Sequence, residues 1–411
     1  MKTAVIDGHS TGRALTAALR ARGRACVHVQ TSTQMADFFT RGFRSGDYEA
    51  LLDGSGALVP LARQLAKLGV EQVVAGTESG VFTADSLSHL MGLPGNRYET
   101  LPARRDKRLM AEVAAAAGVA VPQGAAFTDA DAAAAWFTTS GLTAAVVKPP
   151  TSAGTDNVRF CRTKEEVHDA CKIVLNSDNI FGHPNTSVMV QERVYGVEYY
   201  ANTVSYNGIH RFAEIWRYTK RAGSVGHPVY DYEEPVSADT AEAAVLREFV
   251  VGALGALGIV SGAAHTEVML TERGPVLIET GARLGGGTAP EVVERYAGTS
   301  QTRLLADTLM DPTQLAAFDN ASVTWSGALR NVALINRTAG IVRSLDWTEH
   351  LLALPTLVYL SHGATVGQYL SDTSDLINSP GYVFLAAADP QDIERDYRAL
   401  RAMEEKCLYT R

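Results

Sequence analysis

Cysteine is scarce, with four in 411 residues, and Cys26, Cys161, Cys171 and Cys407 form no C-x-x-C pair. That excludes a disulfide framework and a thiolate metal knuckle, and it suits a reducing compartment. No apolar run approaches membrane-spanning length. Met1–Asp7 reads as a strand and not as a signal peptide, so a cytoplasmic protein without membrane contact is expected. Positive charge is not in excess either. A formal charge of −8 argues against nucleic acid as a partner. There is no internal repeat, and the alanine runs at 114–117 and 132–135 fall in helical contexts, where alanine is the best former. Two nucleotide signatures are missing as well. The first strand-to-helix turn lacks G-x-G-x-x-G, which removes support for NAD, and no Gly-Lys pair exists to make a Walker A loop.

What is present begins with Ile278–Gly287, IETGARLGGG, and the strand before it, Ala263–Leu270, AAHTEVML. The two runs flank the turn signal at 271–274 and predict a hairpin with a glutamate on each arm. A three-residue loop, Glu272-Arg273-Gly274, sets Thr271 against Pro275 and, counting outward, Glu267 against Glu279. Like charges directly opposed destabilise a sheet unless a cation lies between them. Mg²⁺ takes one or two carboxylates plus substrate phosphates, so this pair reads as half of a Mg²⁺–phosphate site. Arg283 is then placed to meet charge that develops during acyl or phosphoryl transfer. Gly285, Gly286 and Gly287 let backbone N–H groups approach a substrate carboxylate or phosphate.

The N-terminal stretch to about residue 95 alternates strands (2–7, 25–29, 72–75) with helices (11–22, 58–68), the pattern of a Rossmann-like α/β unit. A helix is expected from Asp106 to Ala117 and another over 129–137. The apolar strand 144–150 ends in Lys148, and a lysine there is costly unless it meets an anion. The loop 151–157, TSAGTDN, joins it to a strand at 158–161 and is suited to closing over phosphates. The strand 187–195 carries Gln191, Glu192 and Val194, whose backbone groups can read an adenine edge. Beyond the turn, Glu198 can accept from ribose hydroxyls. Residues 211–232 mix arginines, aromatics and a glycine-containing loop, with Arg217 and Lys220 as candidates for a substrate carboxylate. Past residue 300 a helix (301–309), strands (328–335, 357–360) and a closing helix (389–407) with a stripe of Ile393, Tyr397, Leu400 and Met403 suggest packing without chemistry, except that this lobe is a candidate wall of the substrate pocket.

Lys107, Lys148 with its loop, Gln191–Val194 with Glu198, Glu267, and Glu279 with Arg283 stand in an order that resembles the ATP-grasp superfamily. The run Gly281–Gly287, the His265-x-Glu267 strand, the opening Asp7–Gly12 and the strand Gly381–Ala388 are most similar to carboxylate–amine ligases of the L-amino-acid, dipeptide-forming type. The resemblance implies an α/β and α+β architecture. An N-terminal domain (1–95) precedes a lid subdomain (96–190) and a metal and nucleotide subdomain (191–300), and a C-terminal α+β lobe (301–411) follows. It further implies that Lys107, Lys148, Ser152 and Gly154 contact ATP phosphates and that Gln191, Glu192 and Val194 line adenine. Glu198 then takes ribose, Glu267 and Glu279 hold Mg²⁺ with Mn²⁺ as an alternative, and Arg283 steadies the acyl phosphate. The superfamily commonly has asparagine where this chain has Gly281, which leaves the second ion with one ligand fewer.

The implied reaction joins a carboxylate to an amine through an acyl phosphate, giving ADP and phosphate. His265 shares a strand face with Glu267 and is the candidate for orienting substrate or handling a proton. Alternatives are a carboxylase-like or phosphoribosyl-type enzyme on the same ATP site, and a serine hydrolase using Ser10. That serine sits in a G-x-S-x-G turn, but after the first strand of the chain, where no earlier strands can build an oxyanion hole. The expected partners are small molecules, and base rates favour a homodimer.

Overall fold

In a computed structural model the described residues are 1–32, 40–152, 154–222, 228–375 and 378–410. The first unit is a parallel sheet in the order Ala50–Asp53, Ala25–Gln30, Lys2–Ile6, Val70–Ala75. Its central strand is apolar on both faces, as a strand covered by helices on both sides must be. The chain fills one side of that strand first and then crosses to the other. The loops after residues 6 and 75 therefore meet at a topological switch point, where open α/β sheets bind ligands. They meet closely: a Cβ on Gly12 would lie 2.7 Å from the Gly76 Cα. Two elements here were not anticipated. Ala50–Asp53 is a half-exposed edge strand, and helix Val81–Met91 buries Thr83, Asp85, Ser86 and Ser88 along with its apolar residues, which blurs its stripe.

The second unit is an antiparallel sheet in the order Gly124–Phe127, Val188–Glu192, Ala145–Lys148, Arg159–Cys161. Helices Ala130–Thr139 and Lys164–Leu175 cover it, with Phe137, Val147, Val167 and Val190 in the shared core. Asp129 caps the first helix, and Thr163 with Glu166 forms a capping box on the second. Cys161 and Cys171 lie in that core, and burial pushes both thiols up to about 12, so they pack and do not react. The boundary expected between residues 190 and 191 falls inside the strand Val188–Glu192.

The third unit is one eight-stranded sheet. Its order is Gly274–Gly281, Gly262–Thr271, Val197–Tyr206, Ile209–Ala222, Pro228–Pro235, Ala328–Ala333, Gly381–Ala387, Leu357–His362. It runs through residue 300 without a break, so the hairpin that carries Glu267 and Glu279 shares one sheet with the C-terminal lobe. Helix Ala241–Ala256 packs Leu246, Val250 and Leu254 beneath one end. Helix Pro390–Glu404 covers the other, and the expected stripe of Ile393, Tyr397, Leu400 and Met403 faces Val332, Val383 and Leu385. Within the stretch 211–232, residues 223–227 lie outside the described ones. Its described residues form two long strands, paired in register with one bulge, where Thr219 faces Tyr232 but Lys220 faces Tyr230 and Asp231 is left over. Among the described residues no helix is long and apolar enough to cross a membrane.

Candidate active site

A cavity of about 1690 Å³ lies where the three units meet. Its floor is the hairpin, and Glu267 faces Glu279 across it as the spacing predicts. The route differs from the expected one. The tip is a two-residue turn, with Thr271 opposite Gly274 and Leu270 opposite Pro275. A bulge at Ile278, between the Leu277 and Glu279 pairings, restores the count, so turn and bulge cancel. Glu279 meets Lys107 Nζ at 2.9 Å. Glu267 lies 3.6 Å from His265 Nε2. Burial alone would raise the Glu267 carboxyl, but His265, then Lys220 and Arg283, outweigh it and hold it well below the usual range.

Lys107 opens a helix capped by Asp106, and its Nζ also donates to the Ser152 carbonyl at 2.6 Å. Lys148 ends its strand inside the cavity. Burial first, then the charge of Lys107, depresses its ammonium to about 8 against the pull of Glu279, Glu267 and Glu198. The loop at 151–157 is latched. Ser152 Oγ donates to Asp156 at 2.6 Å, Ile180 N–H donates to the same carboxylate at 3.0 Å, and Asn179 holds the Thr151 carbonyl at 2.9 Å. Ser152 and Gly154 line the cavity, Gly154 at φ +68°, while Ala153 lies outside the described residues.

Gln191, Glu192 and Val194 also line it, with Val146, Phe160, Met269 and the bulged Ile278 completing an apolar slot. The Glu192 amide is not available to a ligand, because it donates to the Gln123 carbonyl at 2.6 Å. Glu198 reaches the cavity, but Lys220 Nζ grips both its oxygens at 2.8 and 2.7 Å and sits 4.5 Å over the Tyr230 ring. Lys220, expected to bind a substrate carboxylate, is thus paired with the residue expected to bind ribose. Burial still leaves the Glu198 carboxyl raised. Arg217 is not in the cavity. Strand alternation turns it to the opposite face from Tyr218, where it pairs with Glu234 at 2.8 Å.

Arg283 lines the cavity with its Nε on Glu78 at 2.9 Å, and Arg105 pairs with the other oxygen of that carboxylate. Burial would raise Glu78, but the two guanidiniums prevail and lower it. The same contact explains Gly281: a Cβ there would lie 2.8 Å from Glu78 Oε2 and 3.3 Å from the Arg283 guanidinium. Gly286 and Gly287 line the cavity, but Gly285 does not, since its N–H donates to Gln301 Oε1 at 2.9 Å. His265 Nδ1 lies 2.8 Å from Asn202 Oδ1, whose Nδ2 donates to the buried Glu214. That amide orientation makes Nδ1 the donor and turns Nε2 toward Glu267. Ser10 has no histidine bond among the described residues. His9 is spent on Gln30 at 2.9 Å, so a hydrolase triad is not assembled.

Two facing carboxylates suit a hard cation that keeps water and phosphate oxygens in its shell. Among the described residues no group of three or more His, Cys, Asp or Glu gathers into an all-protein cage, and the donor set fits such a shared shell. Two residues of the site were missed by sequence reasoning. Glu78 follows the strand Val70–Ala75 at the switch point, a position that could have marked it. Glu233 lines the cavity but sits in the acidic, aromatic run YDYEE, whose facing is set by the bulge at Asp231.

A family model for the ATP-grasp (A) domain of phosphoribosylglycinamide synthetase matches residues 105–225. Dapdiamide A synthase of Enterobacter agglomerans is 31% identical over 418 residues, covering 98% of this chain and 97% of its own. The structure of an L-amino acid ligase from Bacillus licheniformis superposes with a TM-score of 0.77 at 18% identity, covering 98% and 97% of the two chains. An N5-carboxyaminoimidazole synthase from Aspergillus clavatus, solved with ADP and 5-aminoimidazole ribonucleotide, gives 0.70 at 13% identity over 98% of each. These last two likenesses show the fold alone.

Proposed function

The chain belongs to the ATP-grasp carboxylate–amine ligases, and from that membership we propose that it joins an amino acid carboxylate to the amine of a second amino acid through an acyl phosphate. The observation that carries this reading is the facing pair Glu267 and Glu279, tied by Lys107 to the carbonyl of the 151–157 loop. In the proposal Lys107 and Lys148 hold the phosphate tail of ATP, which gives the buried Lys148 ammonium a direct ion pair that it does not make among the described residues. Gln191 and Val194 frame the adenine in the apolar slot. Glu198, held in place by Lys220, takes the ribose. Glu267 and Glu279 would hold Mg²⁺, which when bound neutralises phosphate charge. Arg283, braced by Glu78, faces the acyl phosphate, and His265 orients substrate from its Asn202 bond.

The carboxylate oxygen attacks the γ-phosphorus and ADP leaves, a step that asks mainly for positioning and charge neutralisation. The latched loop keeps water from the acyl phosphate. The test is phosphate release over pairs of amino acids with ATP and Mg²⁺, with bicarbonate as the control for carboxylase chemistry. ADP, phosphate and dipeptide in equal amounts are expected. Full amine-dependent ADP release by Glu279→Ala, or release driven by bicarbonate, would sink the reading.

A further inference from the structure

Most carboxylates of the cavity face a base. Glu78 has two arginines, Glu198 has Lys220, Glu279 has Lys107, and Glu267 lies 3.6 Å from His265 Nε2. Glu233 does not. Like Asp156 and Glu291, it pairs with no basic side chain among the described residues, and its two bonds come from neutral groups. The Tyr200 hydroxyl donates at 2.6 Å and Asn331 Nδ2 at 3.4 Å, both to Oε2, and none of the described residues bonds Oε1. Its register partners are Tyr218 on one side and Asn331 on the other. Tyr200 and Tyr218 lie 4.8 Å apart, as do Tyr218 and Tyr230. Lys220 already sets its ammonium over Tyr218 and Tyr230, at 5.5 and 4.5 Å from the ring centroids, and is paired with Glu198, so the rings accept a cation while Glu233 beside them has none among the described residues. Asn331 also donates to the Gly287 carbonyl at 2.9 Å, so Glu233 is tied to the glycine run that follows Arg283.

Resting on the ligase reading above, we propose that Glu233 receives the ammonium group of the amine substrate and removes its proton before attack. The ammonium gives one proton to the Glu233 carboxylate and becomes a neutral amine. Its lone pair then forms the C–N bond to the acyl carbon while the C–O bond to phosphate breaks. The electron pair leaves with phosphate, and the second surplus proton on nitrogen goes with it. The groups facing Glu233 favour this exchange. Glu267 and Glu214 are acids, Lys220 over the rings is committed to Glu198, and Tyr200, Tyr218 and Tyr230 are neutral phenols. Burial and those charges push its carboxyl up to about 7, against its bonds to Tyr200 and Asn331, so it can accept and release a proton near neutrality.

Hydroxylamine separates this step from acyl-phosphate formation, because its nitrogen is already unprotonated at neutral pH. With ATP, Mg²⁺ and a panel of amino acids as carboxylates, Glu233→Gln is expected to form hydroxamate within about threefold of wild type. Ligation to an amino acid amine at pH 7 is expected to fall by about 100-fold or more, with partial recovery relative to wild type at pH 9.5 and saturating ATP, where free amine is plentiful. Glu233→Asp, which keeps a carboxylate, should retain the wild-type shape of the pH profile at a lower rate. Equal losses of hydroxamate and ligation in both variants, or ligation by Glu233→Gln within fivefold of wild type, would overturn the proposal. A wild-type enzyme that forms no hydroxamate from any carboxylate would overturn the acyl-phosphate reading itself, and this proposal with it.

Discussion

Asp231 and Glu233 stand two residues apart on one strand and live in opposite electrostatic worlds. Asp231 is closed in. Arg401 reaches it at 2.6 and 3.1 Å, Tyr397 donates to both its oxygens, and Arg401 continues to Glu404, which also accepts from Tyr409 and from the Ile335 N–H. Every charge in that cluster has an opposite and a hydrogen bond, which is what keeps a buried ion pair tolerable. Around the cavity, by contrast, Glu233 has no base among the described residues, Lys148 is strongly depressed and two glutamates face each other. The satisfied cluster under the C-terminal helix holds shape. The unsatisfied one is charged for something that arrives from outside.

The comparison is broken most severely by removing its structural half. Arg401→Met strands Asp231 and Glu404 in the interior and should cost about 3–5 kcal/mol, read as a lowered denaturation midpoint, with activity lost in step. Glu279→Gln should do the reverse. It should lower phosphate release by about 100-fold or more while leaving the melting temperature unchanged or raised, since a like-charge pair is relieved.

Titration sharpens the contrast. A Lys148 ammonium depressed to about 8 carries its charge below that pH and loses it above, so ATP affinity measured by calorimetry should weaken as pH climbs from 7 to 9. Glu233 runs the other way in stability. Its folded carboxyl is raised from 4.5 to about 7, so the folded state holds the extra proton and stability falls as pH rises from about 4.5 to 7. Glu233→Gln removes that penalty. It should stabilise the protein above pH 7 by about 1–2 kcal/mol, fading to nothing near pH 4 in thermal melts. The smallest effect belongs to Arg217, half exposed and paired with Glu234 on the outer face. Arg217→Ala should shift stability by about 0.5 kcal/mol or less and leave KM for both substrates unchanged.

Much of the site was legible because its signals are local. Lys148 at the end of an apolar strand, the glutamates on two arms of one hairpin and the polar 151–157 loop each announce themselves within thirteen residues. What stayed hidden depends on side chains that meet only after folding. Lys220 looked available until Glu198, 22 residues earlier, came beside it. Glu78 reaches Arg283 across 205 residues. Arg217 was misplaced because 211–232 lacks the clean alternation that would have revealed a strand and its two faces. Asp231 adds an unpaired residue that shifts the phase of everything around it. The C-terminal lobe was foreseen as a separate block, but sheet membership is a matter of edges pairing at long range, and no local pattern encodes it.

The hairpin tip has a consequence for comparing relatives. Its short turn and the extra residue at Ile278 are interchangeable with a longer turn and no extra residue, since either keeps Glu267 and Glu279 abreast. Ungapped matching of this chain to a homologue of the second kind would pair 274–277 with structurally shifted partners and still score both acids as equivalent. Tip length can therefore drift between homologues without moving the two oxygen donors.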